Sequence, residues 1–449
     1  KCYALNFLTF LEDHMKYPKF LIILFVSMFF AVSASAKSLT IFWAEWDPAN
    51  QLQELANMYT EETGIDVIVE TTPWSDFQTK TFTEFASRGT QFDMVVGDSQ
   101  WIGAGVKGGH YMEMTSFIKK HGVDKSMAEA TMVAYAEYPK GSKKYYAIPT
   151  EGDADGWAYR KDYFEDPKEM AAFKKQYGYK LDIPQTWDQL RDIAEFFHRP
   201  NEGRYGVSIY TQKDYDALTM GVENVLWAFG GSLGDMATYE VEGLVNNKGS
   251  QKAIEFYKEL YQFTPPDWGN TFFIEGNQAI TQGLAAMSMN YFAFFPALTN
   301  KKVNPHFDST GYFANPAGPV GRYSALGGQG MSINNYISDS QKKMSLDFLE
   351  WFVKYENQVK WGEVGGYTCN SKVLESSTFL NATPYNRAFM ESMFMVKDFW
   401  ANPEYADLLE SMQRNLHAYI IADQGTSKQA LDNIAKDWAK VFKKYGYTK

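Results

Sequence analysis

The sequence predicts an α/β fold, because segments with strand and helix patterns alternate along most of the chain. It opens with the β-rich SLTIFWAEW, the helical PANQLQELANMYTEETG and the alternating IDVIVETT, which together predict a β-α-β unit. A second helical pattern, WSDFQTKTFTEFASRG, precedes the short apolar strand FDMVVGDSQW. At 449 residues the chain is long enough for two domains.

The later part of the chain continues this alternation and then becomes mainly helical. YYAIP and GWAYRKDYF have extended patterns, and Thr186 is the predicted N-cap of the helix that follows them. A helical pattern runs from Gln251 to Phe263, and LAAMSMNYFAFF predicts a buried strand that leads into an aromatic loop. Further helical patterns near the C-terminus predict extra helices added to the α/β core.

The N-terminal region has the pattern of a secretory signal peptide. MKYPKFLIILFVSMFFAVSASA has a basic start, an apolar run and a small-residue end, which predicts a start at Met15 and cleavage after Ala36. Residues 1–36 are therefore expected to be upstream sequence and signal peptide. No cysteine follows the apolar run at a lipidation position, so a periplasmic protein is expected rather than a lipoprotein. Only Cys369 follows the predicted cleavage site, which excludes an intrachain disulfide in the exported protein.

Charge and short motifs exclude several classes of function. The formal net charge of −11 at pH 7 makes nucleic acid and anionic membranes poor partners. GGSLG and GGQG lack the G-K-S/T ending of a phosphate loop, so nucleotide binding is not expected. The six histidines show neither metal-site spacing nor H-E-x-x-H. The sequence therefore predicts no metal and no cofactor.

The segment IPTEGDADGWAYRKDYF, residues 148–164, places carboxylates beside aromatic side chains. Counted from Glu151, the spacing is close to that of an EF-hand calcium loop, but position 1 is not aspartate and position 12 is not glutamate. A pair of carboxylates is also what a glycosidase uses, and 54 acidic residues leave that alternative open. Carboxylates accept hydrogen bonds from hydroxyls, and indoles cover faces rich in C–H groups. A sugar is therefore the favoured ligand class.

Segments in a fixed order resemble those of the bacterial extracellular solute-binding proteins of carbohydrate ABC transporters, family 1, which are similar to maltose- and trehalose-binding proteins. The segments are LANMYTEETGIDVIVE, FDMVVGDSQW, YYAIPTEGDADGWAYRKDYF with PQTWDQL, GLAAMSMN and GGQGMSI. The resemblance covers residues 37–449. It implies a two-lobed fold of type II, maltose-binding-protein-like, whose lobes close on a hinge. It also implies a monomer that carries a sugar or polyol to permease subunits in the inner membrane.

The resemblance further implies where the lobes divide and which residues meet the ligand. The expected N-terminal lobe comprises residues 37–149 and 329–371, and the expected C-terminal lobe comprises residues 150–328 and 372–449. Asp153 falls where the family places a sugar-binding carboxylate, because residues 159–162 match an aromatic-x-Lys-Asp segment. The expected ligand-binding set is Glu45, Trp46, Trp74, Asp98, Trp101, Glu151, Asp153, Trp227, Tyr291, Gly328 and Gln329.

Two alternatives remain beside this reading. A secreted carbohydrate-cleaving enzyme would use two of the same carboxylates. The same fold could instead bind a polyamine or another cation held by carboxylates. The identity, length and anomer of a sugar depend on the depth of the pocket, which the sequence does not fix.

Overall fold

A mixed β-sheet runs through the residues that the structure describes. The computed structural model describes residues 38–214 and 216–449, and the predicted signal peptide lies outside them. The strands are β1 (Ser38–Ala44), β2 (Asp66–Thr72), β3 (Met94–Asp98), β4 (Ile148–Arg160), β5 (Tyr205–Ser208), β6 (Ala285–Tyr291), β7 (Thr310–Ala314), β8 (Ser324–Ile333) and β9 (Val396–Lys397). Their order in the sheet is β2-β1-β3-β8-β4-β6-β5, with β7 paired to β4 and β9 paired to β8.

Helices connect the strands and dominate the C-terminal part of the chain. The first are α1 (Asp47–Thr63), α2 (Trp74–Ala86), α3 (Ile102–Lys107), α4 (Thr115–His121), α5 (Val123–Ser126), α6 (Glu129–Thr131), α7 (Lys161–Phe164), α8 (Pro167–Tyr177), α9 (Trp187–Phe197) and α10 (Ala217–Ala228). They are followed by α11 (Lys248–Tyr261), α12 (Phe273–Thr281), α13 (Asp339–Phe352), α14 (Tyr355–Glu363), α15 (Ser371–Leu374), α16 (Ser377–Ala382), α17 (Asn386–Met393), α18 (Tyr405–Ile420) and α19 (Ser427–Lys444). Among these described helices, none combines the length and apolar character needed to cross a membrane.

Local sequence explains where several of these helices begin and end. α1 has a proline in its first turn and ends at Gly64, which adopts a left-handed φ of 71°. Thr186 accepts a hydrogen bond from the backbone N–H of Gln189 at 3.2 Å, which confirms it as the N-cap of α9. α19 begins with a capping box between Thr426 and Gln429. The predicted α/β class with late helices is therefore confirmed.

Some predicted boundaries differ from the observed ones. The helix predicted to start at Gln251 starts at Lys248, because the Asn247 side chain accepts a hydrogen bond from the backbone N–H of Ser250 at 2.8 Å. The aromatic segment after β6 is a 3-10 helix, Phe292–Thr299, rather than a loop.

The paired tyrosines of YYAIP were also predicted to lie in a strand. Tyr145 instead makes only an isolated bridge with Glu137, and the strand begins at Ile148. Propensity favoured a strand for this aromatic pair, but the partner segment extends the pairing no further.

Within the described residues, buried apolar side chains form two clusters. The N-terminal core contains side chains of β1–β3 and α1, such as Leu39, Ile41 and Leu52. The C-terminal core contains side chains of α9–α11, α18 and α19, such as Leu226 and Trp438. Each cluster therefore combines strands with helices, as expected for an α/β chain of this length.

β4, like β8, contributes buried side chains to both cores. All 13 of its residues are buried. Its first half, Ile148–Ala154, pairs antiparallel with β8, and its second half, Asp155–Arg160, pairs with β6 and β7. Ala154 packs in the N-terminal core and Trp157 in the C-terminal core. The acidic stretch singled out in the sequence is therefore a segment that joins the two cores.

The buried residues that follow residue 371 contribute to both cores. Val373, Phe379 and Phe389 belong to the N-terminal core, although the predicted division assigned residues 372–449 to the C-terminal lobe. Side chains from α18 and α19 belong to the C-terminal core. The division into lobes stays a prediction, and core membership favours a boundary near residue 400 over one at residue 372.

The pairing of β4 with β8 requires glycine at position 328. Gly328 has a φ of 85°, and a Cβ there would lie 2.4 Å from the carbonyl oxygen of Glu151. Gly122 has a similar φ of 64°, but a Cβ there would meet no atom within 4 Å.

We therefore expect Gly328→Ala to reduce the free energy of unfolding by about 3 kcal/mol or more, since it adds a backbone clash to the cost of the left-handed conformation. The control Gly122→Ala should cost about 1 kcal/mol, because only the conformational cost applies. Denaturant unfolding measures both values. Equal losses in the two variants would contradict the close approach at the crossing.

Candidate functional site

Three adjacent strands place two carboxylates and an amide side by side. Asp98 is paired with Gln329 between β3 and β8, and Gln329 is paired with Glu151 between β8 and β4. Residues directly opposite each other in antiparallel strands carry their side chains on the same face. Asp98, Gln329 and Glu151 therefore form a row across the sheet, named here the acid–amide row. Trp43 of β1 donates its indole N–H to Gln329 Oε1 and fixes the amide at its centre.

Glu151 is a buried carboxyl group without hydrogen-bond partners. Its side chain is fully buried, and neither carboxylate oxygen has a hydrogen-bond partner among the described residues. Burial raises the pKa of Glu151 well above its usual value, and the charges of Asp153 and Asp98 raise it further. The protein thus offers two unused acceptor oxygens at the end of the acid–amide row.

Asp153 is buried on β4 but is hydrogen-bonded. Its Oδ1 accepts hydrogen bonds from the backbone N–H of Ala154 at 2.8 Å and of Ala293 at 3.2 Å. Burial raises the pKa of Asp153 to about 8, although these backbone N–H groups favour the charged form. Ala293 lies in the 3-10 helix after β6, so Asp153 ties the shared strand to that turn. Its predicted contact with a ligand stays a prediction.

A second group of carboxylates lies on and beside α10. Glu223 is fully buried, and neither of its oxygens has a hydrogen-bond partner within the described chain. Burial raises the pKa of Glu223, followed by the charges of Asp398, Asp216 and Asp155, whereas Lys140 lowers it. Asp155 Oδ2 accepts a hydrogen bond from Asn224 Nδ2 at 2.7 Å.

Gln100 connects this second group to the end of β3. Asp98 Oδ1 accepts a hydrogen bond from the backbone N–H of Gln100 at 3.0 Å, which caps the 3-10 helix Ser99–Trp101. The side-chain Nε2 of Gln100 lies 3.5 Å from Asp216 Oδ2. Burial raises the pKa of Asp216, and the charge of Asp98 raises it further. Asp216, which precedes α10, and Asp98, which ends β3, are therefore connected through Gln100.

Five aromatic rings beside the acid–amide row contact one another in a series named here the aromatic run. The ring of Trp46 lies 5.6 Å from Trp43 and 5.3 Å from Trp74. Phe77 lies 5.8 Å from Trp74 and 5.0 Å from Trp101. Trp46 and Trp74 are half-buried, and the indole N–H of Trp46 has no hydrogen-bond partner among the described residues. The run therefore offers ring faces and an unused donor.

The remaining predicted residues have different surroundings. Glu45 is exposed after β1, and its backbone N–H donates to the carbonyl of Thr72 at 2.8 Å. Tyr291 is buried and donates its hydroxyl to the carbonyl of Leu326 at 3.3 Å. The structure thus gathers Asp98, Glu151 and Gln329 most closely, whereas Glu45 lies at the surface.

A cavity of about 690 Å³ lies next to β8. Of the predicted set, Trp227 lines it, together with Lys140, Leu326 and Asp398. Leu326 borders this cavity, whereas a Cβ on the next residue, Gly327, would meet Tyr291 and Asp153. Successive residues of a strand point to opposite faces. The cavity and Asp153 therefore lie on opposite faces of β8.

Sequence reasoning did not identify Gln100, Asp155, Asp216, Glu223 or Asp398. Glu223 had a usable signal, because it is a charged residue inside the otherwise apolar helix pattern ALTMGVENVLWAFGG. Asp155 follows Asp153 by two residues and so falls on the same face of a regular strand. Asp216 and Asp398 had no comparable local signal.

Other candidate chemistries find little support in the geometry. The GGSLG segment has the spacing of a nucleophile elbow at Ser232, but it follows α10 rather than a strand. Ser232 Oγ accepts a hydrogen bond from the backbone N–H of Gly234 at 3.0 Å. The EF-hand-like spacing lies within a β-strand, Ile148–Arg160. Among residues 38–214 and 216–449, no three His, Cys, Asp or Glu side chains are arranged to hold a metal ion.

Comparisons with known proteins identify relatives of one kind. Residues 44–359 match the family described as bacterial extracellular solute-binding protein. The chain is 23% identical to the mannitol-binding protein of Pseudomonas aeruginosa over 64% of its own length, and the match spans 62% of that relative. It is 22% identical to the erythritol/L-threitol-binding protein of Mycolicibacterium smegmatis, over 74% of this chain and 70% of that one.

A solved structure has a similar fold. It is the ABC transporter solute-binding protein of Agrobacterium radiobacter K84 in complex with ribitol, with a TM-score of 0.73 and 22% sequence identity. The alignment covers 90% of this chain and 99% of that one. The predicted solute-binding-protein fold is therefore confirmed.

The raised pKa of Asp153 predicts a pH dependence of stability. Because burial raises this pKa from 3.8 to about 8, the folded protein binds a proton that the unfolded chain releases between those values. The free energy of unfolding should therefore fall as the pH rises from about 5 to about 8.

Asp153→Asn removes the titrating group, so its melting temperature should fall less over the same pH range. Exposed Asp308 provides the control, and Asp308→Asn should leave the pH dependence unchanged. Thermal unfolding followed by circular dichroism at several pH values measures the slopes. An Asp153→Asn slope equal to that of the parent protein would contradict the prediction.

Proposed function

The chain belongs to the bacterial extracellular solute-binding protein family, and on that premise we propose that it binds a sugar or polyol between its two cores. It carries this solute unchanged to the permease of an ABC importer in the inner membrane. We further propose that it acts in the periplasm as a monomer, after removal of its signal peptide. Family membership rests on the match over residues 44–359.

The acid–amide row beside the aromatic run is the observation that carries this proposal. A polyol presents several hydroxyl donors, and Glu151 offers two buried oxygens without a partner among the described residues. A carboxyl group accepts hydrogen bonds from hydroxyls, and when it is protonated it also donates one. The half-buried indoles of Trp46 and Trp74 supply flat apolar faces for C–H groups. These two kinds of contact together suit a polyhydroxylated solute.

The relatives favour small polyols within this class. The curated relatives are named for binding mannitol and for binding erythritol or L-threitol, and the similar solved structure holds ribitol. We extend the polyol class to this chain because carboxylates from both cores converge on one region. Asp98 ends a strand of the N-terminal core, and Asp216 precedes a helix of the C-terminal core.

The ligand-binding set proposed from the sequence gains further members here. Gln100 and Asp216 join it because they are buried and lie beside Asp98, and Glu223 joins it because it is buried beside Asp216. Closure of two lobes on a hinge would follow from a solute that contacts residues of both cores at once. The shared strand β4 would then serve as one of the crossings between the lobes.

A carbohydrate-cleaving enzyme is the competing function. The relatives are binding proteins rather than enzymes. A thermal-shift screen with mannitol, sorbitol, ribitol, erythritol, maltose, trehalose and spermidine should show a raised melting temperature with a sugar or polyol, since ligand binding to the folded state stabilises it. Chromatography of the incubated solute should recover it unchanged. Loss of the solute with formation of products would overturn the carrier function.

The aromatic run gives a specific test of the binding site. Trp46→Ala should raise the dissociation constant for the best polyol by about tenfold or more, because it removes a large ring face and an unused N–H donor. Tyr355 is an exposed ring on α14, and Tyr355→Ala should leave the constant unchanged. Isothermal titration calorimetry measures both. Unchanged affinity in Trp46→Ala would exclude the aromatic run from the site.

A further inference from the structure

The buried carboxyl groups of this site lack matching cationic side chains. Six acidic residues are at least nine-tenths buried here: Glu151, Asp153, Asp155, Asp216, Glu223 and Asp398. None of the six forms an ion pair within residues 38–214 and 216–449. Buried carboxylates elsewhere in proteins are normally paired.

Lys140 favours the charged form of the carboxyl groups beside α10 but does not act on Glu151. It lowers the pKa of Glu223 and of Asp398, so the group beside α10 has one nearby cation. The groups that act on Glu151 are the carboxylates of Asp153 and Asp98, and both oppose its ionisation. Glu151 is therefore the acceptor for which the described chain supplies neither a donor nor a cation.

The side-chain amide of Gln100, next to Asp216, is a separate observation that points to a ligand. Gln100 is 3% exposed, and its Oε1 has no hydrogen-bond partner among the described residues. Its Nε2 lies 3.5 Å from Asp216 Oδ2, so the amide faces the buried carboxylates. A buried amide oxygen without a partner is destabilising, and a bound N–H or O–H donor removes that cost.

A neutral polyol satisfies only part of what this region lacks. Its hydroxyls donate hydrogen bonds, but they add no positive charge, and each uncompensated buried ion costs several kcal/mol. Either protons or a cation must supply the missing charge. A protonated amine on the solute supplies both the charge and up to three N–H donors at one atom.

We propose that the solute is a polyhydroxylated amine, an amino sugar or an aminated polyol, whose ammonium group binds the carboxylate of Glu151. This inference rests on the proposed function and narrows its ligand class. The hydroxyl groups of the solute would then be free to donate to the amide oxygen of Gln100, which has no hydrogen-bond partner among the described residues.

The test compares two probes with the same carbon skeleton, sorbitol and 1-amino-1-deoxysorbitol, by calorimetry at about pH 7, where the primary amine is protonated. The parent protein should bind the amine about tenfold or more tightly than sorbitol, since a hydrogen bond between charged groups is worth about 1.5–3 kcal/mol. Glu151→Gln should reduce this preference to about threefold or less. It should retain binding of sorbitol, because the amide still accepts hydrogen bonds.

Glu137→Gln is the matched control. Glu137 is also a buried glutamate, but its Oε2 lies 4.0 Å from Lys143 Nζ, so the chain supplies its cation. This variant should keep the preference for the amine. Thermal unfolding of both variants verifies that they are folded.

The outcomes separate this inference from the proposed function. Sorbitol that binds as tightly as the amine would overturn the inference and leave a neutral-polyol carrier. In that case, titration in buffers of different ionisation enthalpy should show proton uptake, since protons then neutralise the site. If the amine is preferred but Glu151→Gln retains that preference, the assignment to Glu151 is wrong. If no sugar or polyol binds, charged or neutral, the proposed function fails together with the inference.

Discussion

The burial of carboxylates on a strand shared by two cores is the constraint on which this structure depends. β4 is buried along its whole length and carries Glu151, Asp153 and Asp155. A buried ion is costly unless hydrogen bonds or opposite charge surround it. The fold supplies backbone N–H groups to Asp153 and the amide of Asn224 to Asp155. Glu151 receives no such partner within the described residues, so a strand that connects the cores also carries two unused acceptor oxygens.

That arrangement links the binding of a solute to the relation between the two cores. Ala154 packs with the N-terminal core and Trp157 with the C-terminal core, so a solute held at Glu151 contacts the strand where the two cores join. Asp98 and Asp216 extend the acidic region into each core. A ligand that contacts both sides can favour one relative arrangement of the cores by its differential affinity. The same buried carboxyl groups, which are costly without a partner, would then contribute to the energy of binding.

The aromatic run has a role that complements that of the acidic region. It supplies rigid apolar ring faces, whereas the acidic region supplies polar groups. Its first four rings contact one another edge to face, and Trp43 links the run to β8 through its hydrogen bond to Gln329. Packed rings lose little further freedom when they meet a ligand, which favours affinity. Gly328 allows the backbone of β8 to approach Glu151 closely next to this anchor. The geometry of the acid–amide row therefore depends on two residues with no charge, Gly328 and Trp43.

The sequence by itself determined the α/β class, the cap at Thr186 and the importance of the acidic stretch, because periodicity and capping are local properties. It also made Asp98, Glu151 and Gln329 separate candidates, because each lies in a segment that resembles one of the family. Only the tertiary structure brought them into one row, since the register of β3, β8 and β4 joins residues far apart in the chain. It likewise decided that Asp216 and Asp398 lie beside Glu223, and that Val373 and Phe389 pack with the N-terminal core. Whether a buried carboxylate has a partner depends on such long-range contacts, and local sequence patterns do not encode them.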